Sequence, residues 1–232
     1  SLVPQLEKNG LKIISRHEDL SGEEAAYIDG YFEENVYPVL TPMAVDSSRP
    51  FPLVRNKTLN IAALVHKKNS KEELEFATVQ VPSVLERIVT LPSTGKVKKV
   101  ILLEEIIERN MHKLFLNYDI VCAHPFRVMR NADLTIEEDE AADLLKEIQK
   151  QLKKRQWGEA IRLEVEDCID KRLLKILKNE LHMGQNIYKI AGPLDLTVLM
   201  KLYGLEGFEH LKTPKFTPQP VPELPAGCRI FD

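Results

Sequence analysis

The sequence predicts an α+β fold, with a mixed, largely antiparallel sheet packed with helices. Two observations carry this. Helical and strand patterns follow one another in irregular order with long gaps, not in the strict alternation of a doubly wound sheet. The strand segments also alternate apolar and polar residues, as antiparallel strands with one open face do.

Taken in order, the first helix is predicted over SGEEAAYIDGYFEENV, residues 21–36. Ser21 with Glu24 three residues on is a capping-box pattern, and Ala25, Ile28, Phe32 and Val36 share one stripe. Gly30 costs this helix about 1 kcal/mol against alanine. Tyr37-Pro38 is expected to end it, because a residue before proline avoids the α region. YPVLTPMAVDSSRPFP (37–52) then sets Pro38, Pro42, Pro50 and Pro52 among Val39, Leu40, Met43, Val45 and Phe51. Proline excludes a helix interior or central strand and pre-orders an extended passage. The stretch reads as a rigid strap docked on the core or on a neighbouring domain.

TLNIAALV (58–65) and FATVQV (76–81) read as strands. In the second, Ala77, Val79 and Val81 alternate with Thr78 and Gln80, so one face is expected to be wet. KKVIL (98–102) is a short strand, followed by a helix with Ile106, Ile107, Met111 and Leu114. PFRVMRN (125–131) is extended. A helix capped by Thr135 with Glu138 follows, carrying Ala141, Leu144, Leu145, Ile148 and Leu152 on one face. In AIRLEVE (160–166), Ile161, Leu163 and Val165 are expected inward and Arg162, Glu164 and Glu166 outward. The next helix holds Ile169, Leu173, Ile176, Leu177 and Leu181, with Gly184 as its stop. NIYKI (186–190) is a strand, and DLTVLMKL (195–202) a short helix from Asp195. The expected division is a lead-in over 1–17, an α+β domain over 18–211 and a proline-rich linker over 212–232. Both ends read as those of an excised domain.

Composition narrows the function classes. Lys+Arg 32 against Asp+Glu 35 leaves no global field to recruit nucleic acid or an anionic membrane. No apolar run is long enough to span a bilayer. Cys122, Cys168 and Cys228 form no CxxC, which argues against a zinc knuckle or disulfide framework and fits the reduced cytoplasm.

Chemical motifs are sparse. Gly95-Lys96 lacks the preceding glycine and following hydroxyl of a P-loop, and no GxGxxG occurs. None of the six histidines stands at zinc-ligand spacing; Cys122 and His124 share a face of one extended run, a two-ligand pairing too small for a metal site. The run IEEDEAAD (136–143) and the cations of 146–155 are placed as a helix dipole prefers. Trp157 reads as a core plug. Arg127 and Arg130, with Asn131 beside them, are the phosphate-contact candidates, since arginine holds phosphate oxygens bidentately. The competing reading is a buried salt bridge, and strand alternation puts the two arginines on opposite faces unless a bulge intervenes. No catalytic and no metal-binding residue is identified.

YPVLTPMAVDSSRPFP, NKTLNIAALV, FRVMRNADL and YKIAGPLDLTVLMKLY, in that order and spacing, closely resemble the middle (head) domain of bacterial polyphosphate kinase. The resemblance runs from about Leu11 to Leu211, and FTPQPVPELPAGCRIFD is similar to the passage into that enzyme's first catalytic domain. The signature residues are Leu40, Thr41, Pro42, Asp46, Pro50, Phe51, Pro52, Gly192, Pro193 and Leu194. Met129 departs from the family's FRxTRN pattern, which removes a hydroxyl from that position.

The resemblance implies a parent enzyme that moves the terminal phosphate of ATP reversibly onto polyphosphate, through a phosphohistidine and with Mg²⁺. The family's phosphorylated histidine and metal ligands lie in other domains, so this segment is expected to carry no cofactor and to be structural and dimer-forming. Its implied partners are the other domains of the same chain, a homodimeric or higher assembly, and polyphosphate. Nucleic acid and membrane insertion are not expected. The alternative is a stand-alone module binding a polyanion, either polyphosphate or RNA; a free-standing enzyme has no motif to support it.

Overall fold

From Leu59 to Val65 every residue of the strand Leu59–Lys67 (β3) is buried, and the fold is arranged around it. The structure, a computed structural model, describes residues 2–45, 51–68, 74–93, 95–131 and 158–219. The chain forms two compact units, Ser1–Val198 and Leu199–Asp232. The predicted helix around Thr135 and Glu138, together with Trp157, lies outside the described residues.

In the first unit, Met43–Val45 (β2), Glu75–Gln80 (β4), Tyr118–Arg130 (β7), Ala160–Glu166 (β8) and Ile187–Ile190 (β9) join β3 in one sheet of order β2-β4-β3-β7-β8-β9. Its pairings are antiparallel except β8 with β9. A smaller sheet orders Leu11–Ile14 (β1), Lys98–Leu102 (β6) and Ile88–Leu91 (β5), with β1 parallel to β6. This is the α+β class that the sequence predicts. Gly95 and Lys96 lie in the connection between antiparallel β5 and β6, a basic turn.

The large sheet is covered on both faces. Leu59, Ile61, Ala63 and Val65 of β3 join Ala77 and Val79 of β4 in one core. That core is closed by Ile28, Phe32 and Val36 of the first long helix, by Ile14 and Ile101 of the small sheet, and by Leu103, Ile106 and Ile107 of the helix Leu103–Arg109. On the other face Ala62, Leu64, Phe126, Val128, Leu163 and Val165 meet Leu173 and Leu177 of the helix Lys171–Glu180. With α1 at Val3–Lys8, α2 at Gly22–Tyr31 and α4 at Met111–Leu114, these two helices are α3 and α5; α6 is Val198–Tyr203. A strand closed on both faces buries side chains of either parity, which is why β3 reads as a continuous apolar run.

Local signals place several boundaries. Ser21 accepts from the Glu24 amide while Glu24 Oε2 accepts from the Ser21 amide at 2.9 Å, so the capping box is complete. The helix does not stop before proline. After Tyr31 it widens to one π turn over Phe32–Val36 and tightens to a 3₁₀ turn over Tyr37–Val39, with Pro38 inside it. Fully buried Phe32 and Val36 anchor the widened turn against the core, and that packing overrides the local preference of Tyr37. The α5 helix ends at Glu180 and is stopped at His182, not at Gly184. His182 takes φ +54°, its amide donates to the Asn179 carbonyl, and the Met183 amide donates to the Lys178 carbonyl at 2.8 Å. That is a Schellman stop built on a non-glycine residue, held by the insertion of Leu181 and Met183 into the core.

Two strand expectations need correction. The face of β4 bearing Thr78 is dry: Thr78 is 1% exposed and donates to the Ile61 carbonyl at 2.8 Å. On β8, Ile161 is exposed whereas Glu164 is buried. At a register shift opposite Met129 and Arg130, Ile161 is the extra residue of a bulge at the start of β8, while Glu164 is buried in ion pairs with Arg127 and Arg162.

The strap begins as exposed chain at Thr41 and Pro42, then supplies β2, an edge strand that pairs with β4 from Met43 to Val45. Phe51 packs on Phe76 with ring centroids 4.8 Å apart, which docks its far end. In the second unit, Lys212 lies 5.4 Å above the Tyr203 ring and donates to the Leu205 carbonyl. Among the described residues no helix is long and apolar enough to cross a membrane.

Candidate functional site

Among the described residues, a network of buried charge gathers around the turn after β9, where Gly192, Pro193 and Leu194 lie. Arg87, just before β5, grips Glu104 of α3 with two nitrogens, Nε to Oε2 at 3.0 Å and Nη2 to Oε1 at 2.6 Å. The same guanidinium donates to the Asp195 carbonyl at 2.7 Å and to the Leu194 carbonyl. It thereby ties the turn to the small sheet's helix. Asp195 adopts φ +55° and accepts from the Thr197 hydroxyl at 2.8 Å, so the turn needs support that Arg87 supplies. Burial raises the Asp195 carboxyl, but the Thr197 hydrogen bonds with Arg127 and Arg87 outweigh it and hold the group below its ordinary value.

Arg127 continues the chain of charges. It donates to Glu164 Oε2 at 3.3 Å and to the Lys57 carbonyl at 3.2 Å, and stands 3.8 Å from Asp195. Glu164 also pairs with Arg162 at 2.8 Å, and Arg162 lies 4.1 Å above the Tyr188 ring. Arg130 differs. Its side chain donates to the carbonyls of Val54 and Gly158 at 2.8 and 2.9 Å, and its amide donates to Asn56 Oδ1. Among the described residues its guanidinium pairs with no carboxylate, and burial lowers its pKa. The Asn131 amide donates to the Glu159 carbonyl at 2.8 Å. The three phosphate-contact candidates thus share one strand end, but among the described residues Arg127 and Arg130 have no partner in common.

Beside this network a cleft of about 300 Å³ is lined by Arg16, Glu104, Glu105, Glu166, Cys168 and the Gly192–Leu194 turn, among others. Titratable groups stand close together in and around it. Glu166, the last residue of β8, stands 3.1 Å from His124 Nδ1 and 3.9 Å from Arg16. Arg16 also donates to Cys168 Sγ at 3.2 Å, and the Glu105 carboxylate accepts from the His17 amide at 2.9 Å. Burial, aided by the charges of Glu105 and Glu166, pushes Glu108 up to about 8, and its Oε2 is buried with no hydrogen-bond partner. Burial pulls the His124 ring down, yet hydrogen bonds with Cys122 and Glu166 and nearby carboxylates raise it to about 9. Two groups bring metal-ligating atoms within 4.8 Å of one another: His124, Glu166 and Cys168, and His17, Glu18 and Glu105.

Of the signature residues, Leu40 packs partly against the core, Thr41 and Pro42 are exposed, and Phe51 and Pro52 are half-buried. Leu194 is fully buried, while Gly192 and Pro193 are exposed at the cleft; Asp46 and Pro50 lie outside the described residues. Sequence reasoning missed Arg87, Glu104, Glu108 and Asp195. A strand-embedded Glu164 and the Glu166-x-Cys168 pair after it were the signals available, because acids on a core strand need partners.

Comparison with known proteins bears on this arrangement. The family described as the polyphosphate kinase middle domain matches residues 23–202. A polyphosphate kinase of Halalkalibacterium halodurans is 42% identical over 236 residues, covering all of this chain and 33% of its own length. One from Bacillus cereus is 46% identical over 238 residues, covering all of this chain and 34% of its own. The crystal structure of polyphosphate kinase from Porphyromonas gingivalis is similar in fold, with TM-score 0.72 at 20% identity, over 95% of this chain and 31% of that one. The chain spans about a third of the length of the relatives it matches.

Proposed function

This chain belongs to the polyphosphate kinase family, as its middle domain, and from that premise we propose that it is the non-catalytic bracing and assembly segment of such an enzyme. The enzyme as a whole would transfer the terminal phosphate of ATP reversibly to polyphosphate, using Mg²⁺, in the cytoplasm. The observation that carries the reading is coverage: the whole chain aligns with one third of each relative, which leaves the larger part of the relatives' length to the chemistry.

The geometry supports a bracing role. Arg87 and Arg127 spend their charge on the chain's own carboxylates and carbonyls, linking β5, α3, β7, β8 and the turn after β9. Tyr37, Val39, Met43 and Leu53 are all exposed along the strap and the open edge strand β2. An apolar edge of this kind suits a neighbouring domain or a second copy. The expected result is that this chain, incubated with ATP and Mg²⁺, makes no polyphosphate and gains no acid-labile phosphohistidine. Phosphohistidine on any of its histidines would sink the reading.

One observation favours a second role, contact with polyphosphate. Among the described residues the guanidinium of Arg130 is held by carbonyls alone, whereas that of Arg127 meets Glu164 and Asp195. Calorimetric titration with polyphosphate at two salt concentrations tests this: binding must weaken as salt rises and be reduced in Arg130→Gln. Heat that is absent at low salt removes the second role and leaves the first.

A further inference from the structure

We propose that the cleft beside β7 and β8 binds a borderline-soft divalent cation of the zinc and cobalt class, ligated by His124 Nδ1, Glu166 Oε2 and Cys168 Sγ. The site is independent of the bracing role, and its failure would leave that role untouched.

The three ligand atoms lie within 4.8 Å of one another, with Nδ1 to Oε2 at 3.1 Å and Sγ to Oε2 at 3.6 Å. A tetrahedral ion with bonds of about 2.0 Å to nitrogen and oxygen and about 2.3 Å to sulfur needs ligand–ligand edges of roughly 3.3–3.6 Å. Two of the three edges are therefore nearly set before any ion arrives. The backbone makes this so. His124 is on β7, Glu166 ends the adjacent antiparallel β8, and Cys168 follows two residues later.

The surroundings complete the case. Cys122 lies two residues before His124 on the same strand. Arg16 donates to the Cys168 sulfur at 3.2 Å and stands 3.9 Å from the other Glu166 oxygen, an outer contact that orients both ligands. Independently of the ligand set, Glu108 Oε2 is buried with no hydrogen-bond partner among the described residues. The cleft of about 300 Å³ is lined by Glu166 and Cys168, which leaves room on their side for water as a fourth ligand. One nitrogen, one oxygen and one sulfur donor suit zinc or cobalt and exclude Mg²⁺, which demands oxygen ligands in octahedral array.

The test is titration of the reduced, chelator-treated 232-residue chain with Co²⁺. A thiolate-to-cobalt charge-transfer band with visible d–d bands of tetrahedral strength should appear, saturate at one equivalent and be displaced by Zn²⁺. Cys168→Ser should abolish the charge-transfer band, and His124→Gln should weaken binding by at least about tenfold. Cys228→Ser should leave the spectrum unchanged. In the unsubstituted chain, Zn²⁺ should protect exposed Cys168 from alkylation, a readout that does not depend on any variant folding. No charge-transfer band, a band that survives Cys168→Ser, or equal alkylation with and without Zn²⁺ would overturn the proposal.

Discussion

Arg87 shows how one side chain can carry a junction that no local pattern announces. Its side chain is 14% exposed and that of Glu104 5%, so each charge depends on the other. Removing one partner of such a pair leaves a buried charge uncompensated and costs about 3–5 kcal/mol, whereas removing both costs much less. Arg87→Ala should therefore lower the unfolding free energy in urea by that amount, and adding Glu104→Leu should recover part of it. A double variant as unstable as the sum of the singles would refute the coupling. The residue was invisible in the sequence for a plain reason. Arg87 and Asp195 are 108 positions apart, and a surface arginine has the same local context as a buried one.

At the scale of the element, the capping box at the start of α2 was legible because it depends on two residues three apart. Its environment was not. Glu24 also meets Lys99 of β6 at 2.6 Å, and that hydrogen bond, with those from Ser21, outweighs burial and lowers its carboxyl from 4.5 to about 2. A carboxyl depressed by folding contributes its full stability above the unfolded value and loses it as pH falls through the folded one. Glu24→Gln should thus be less stable than the parent at neutral pH by about 1–3 kcal/mol. The gap should close between pH about 4.5 and about 2, as read from urea midpoints. A gap that stays constant across that range would show that Glu24 acts through packing alone. The α5 stop and the π turn of residues 32–36 were misjudged on the same scale. In each, buried apolar side chains on either side fix a backbone that local preference would not choose.

Across the whole molecule, stability should follow the layers. The amides of Ile61 to Val65 lie between β4 and β7, under cores on both faces, and should be the slowest to exchange with deuterium. Those of β2, a three-residue edge strand, should exchange fastest among the strands of the large sheet. Protection in β2 equal to that in β3 would mean that the strap is bonded more firmly than its single pairing partner allows.

The sequence by itself determined the class of fold, most of the strand and helix cores, the α2 cap and the family. All of these rest on periodicity, on contacts a few residues apart, or on ordered motifs. Tertiary structure alone decided which charges are buried and with whom. Arg16 meets Cys168 across 152 positions, His124 meets Glu166 across 42, and a bulge at Ile161, opposite Met129 and Arg130, leaves that side chain exposed. Such pairings follow from sheet order and register, which local preferences do not encode, because many registers satisfy the same alternation and only packing of the complete core selects one.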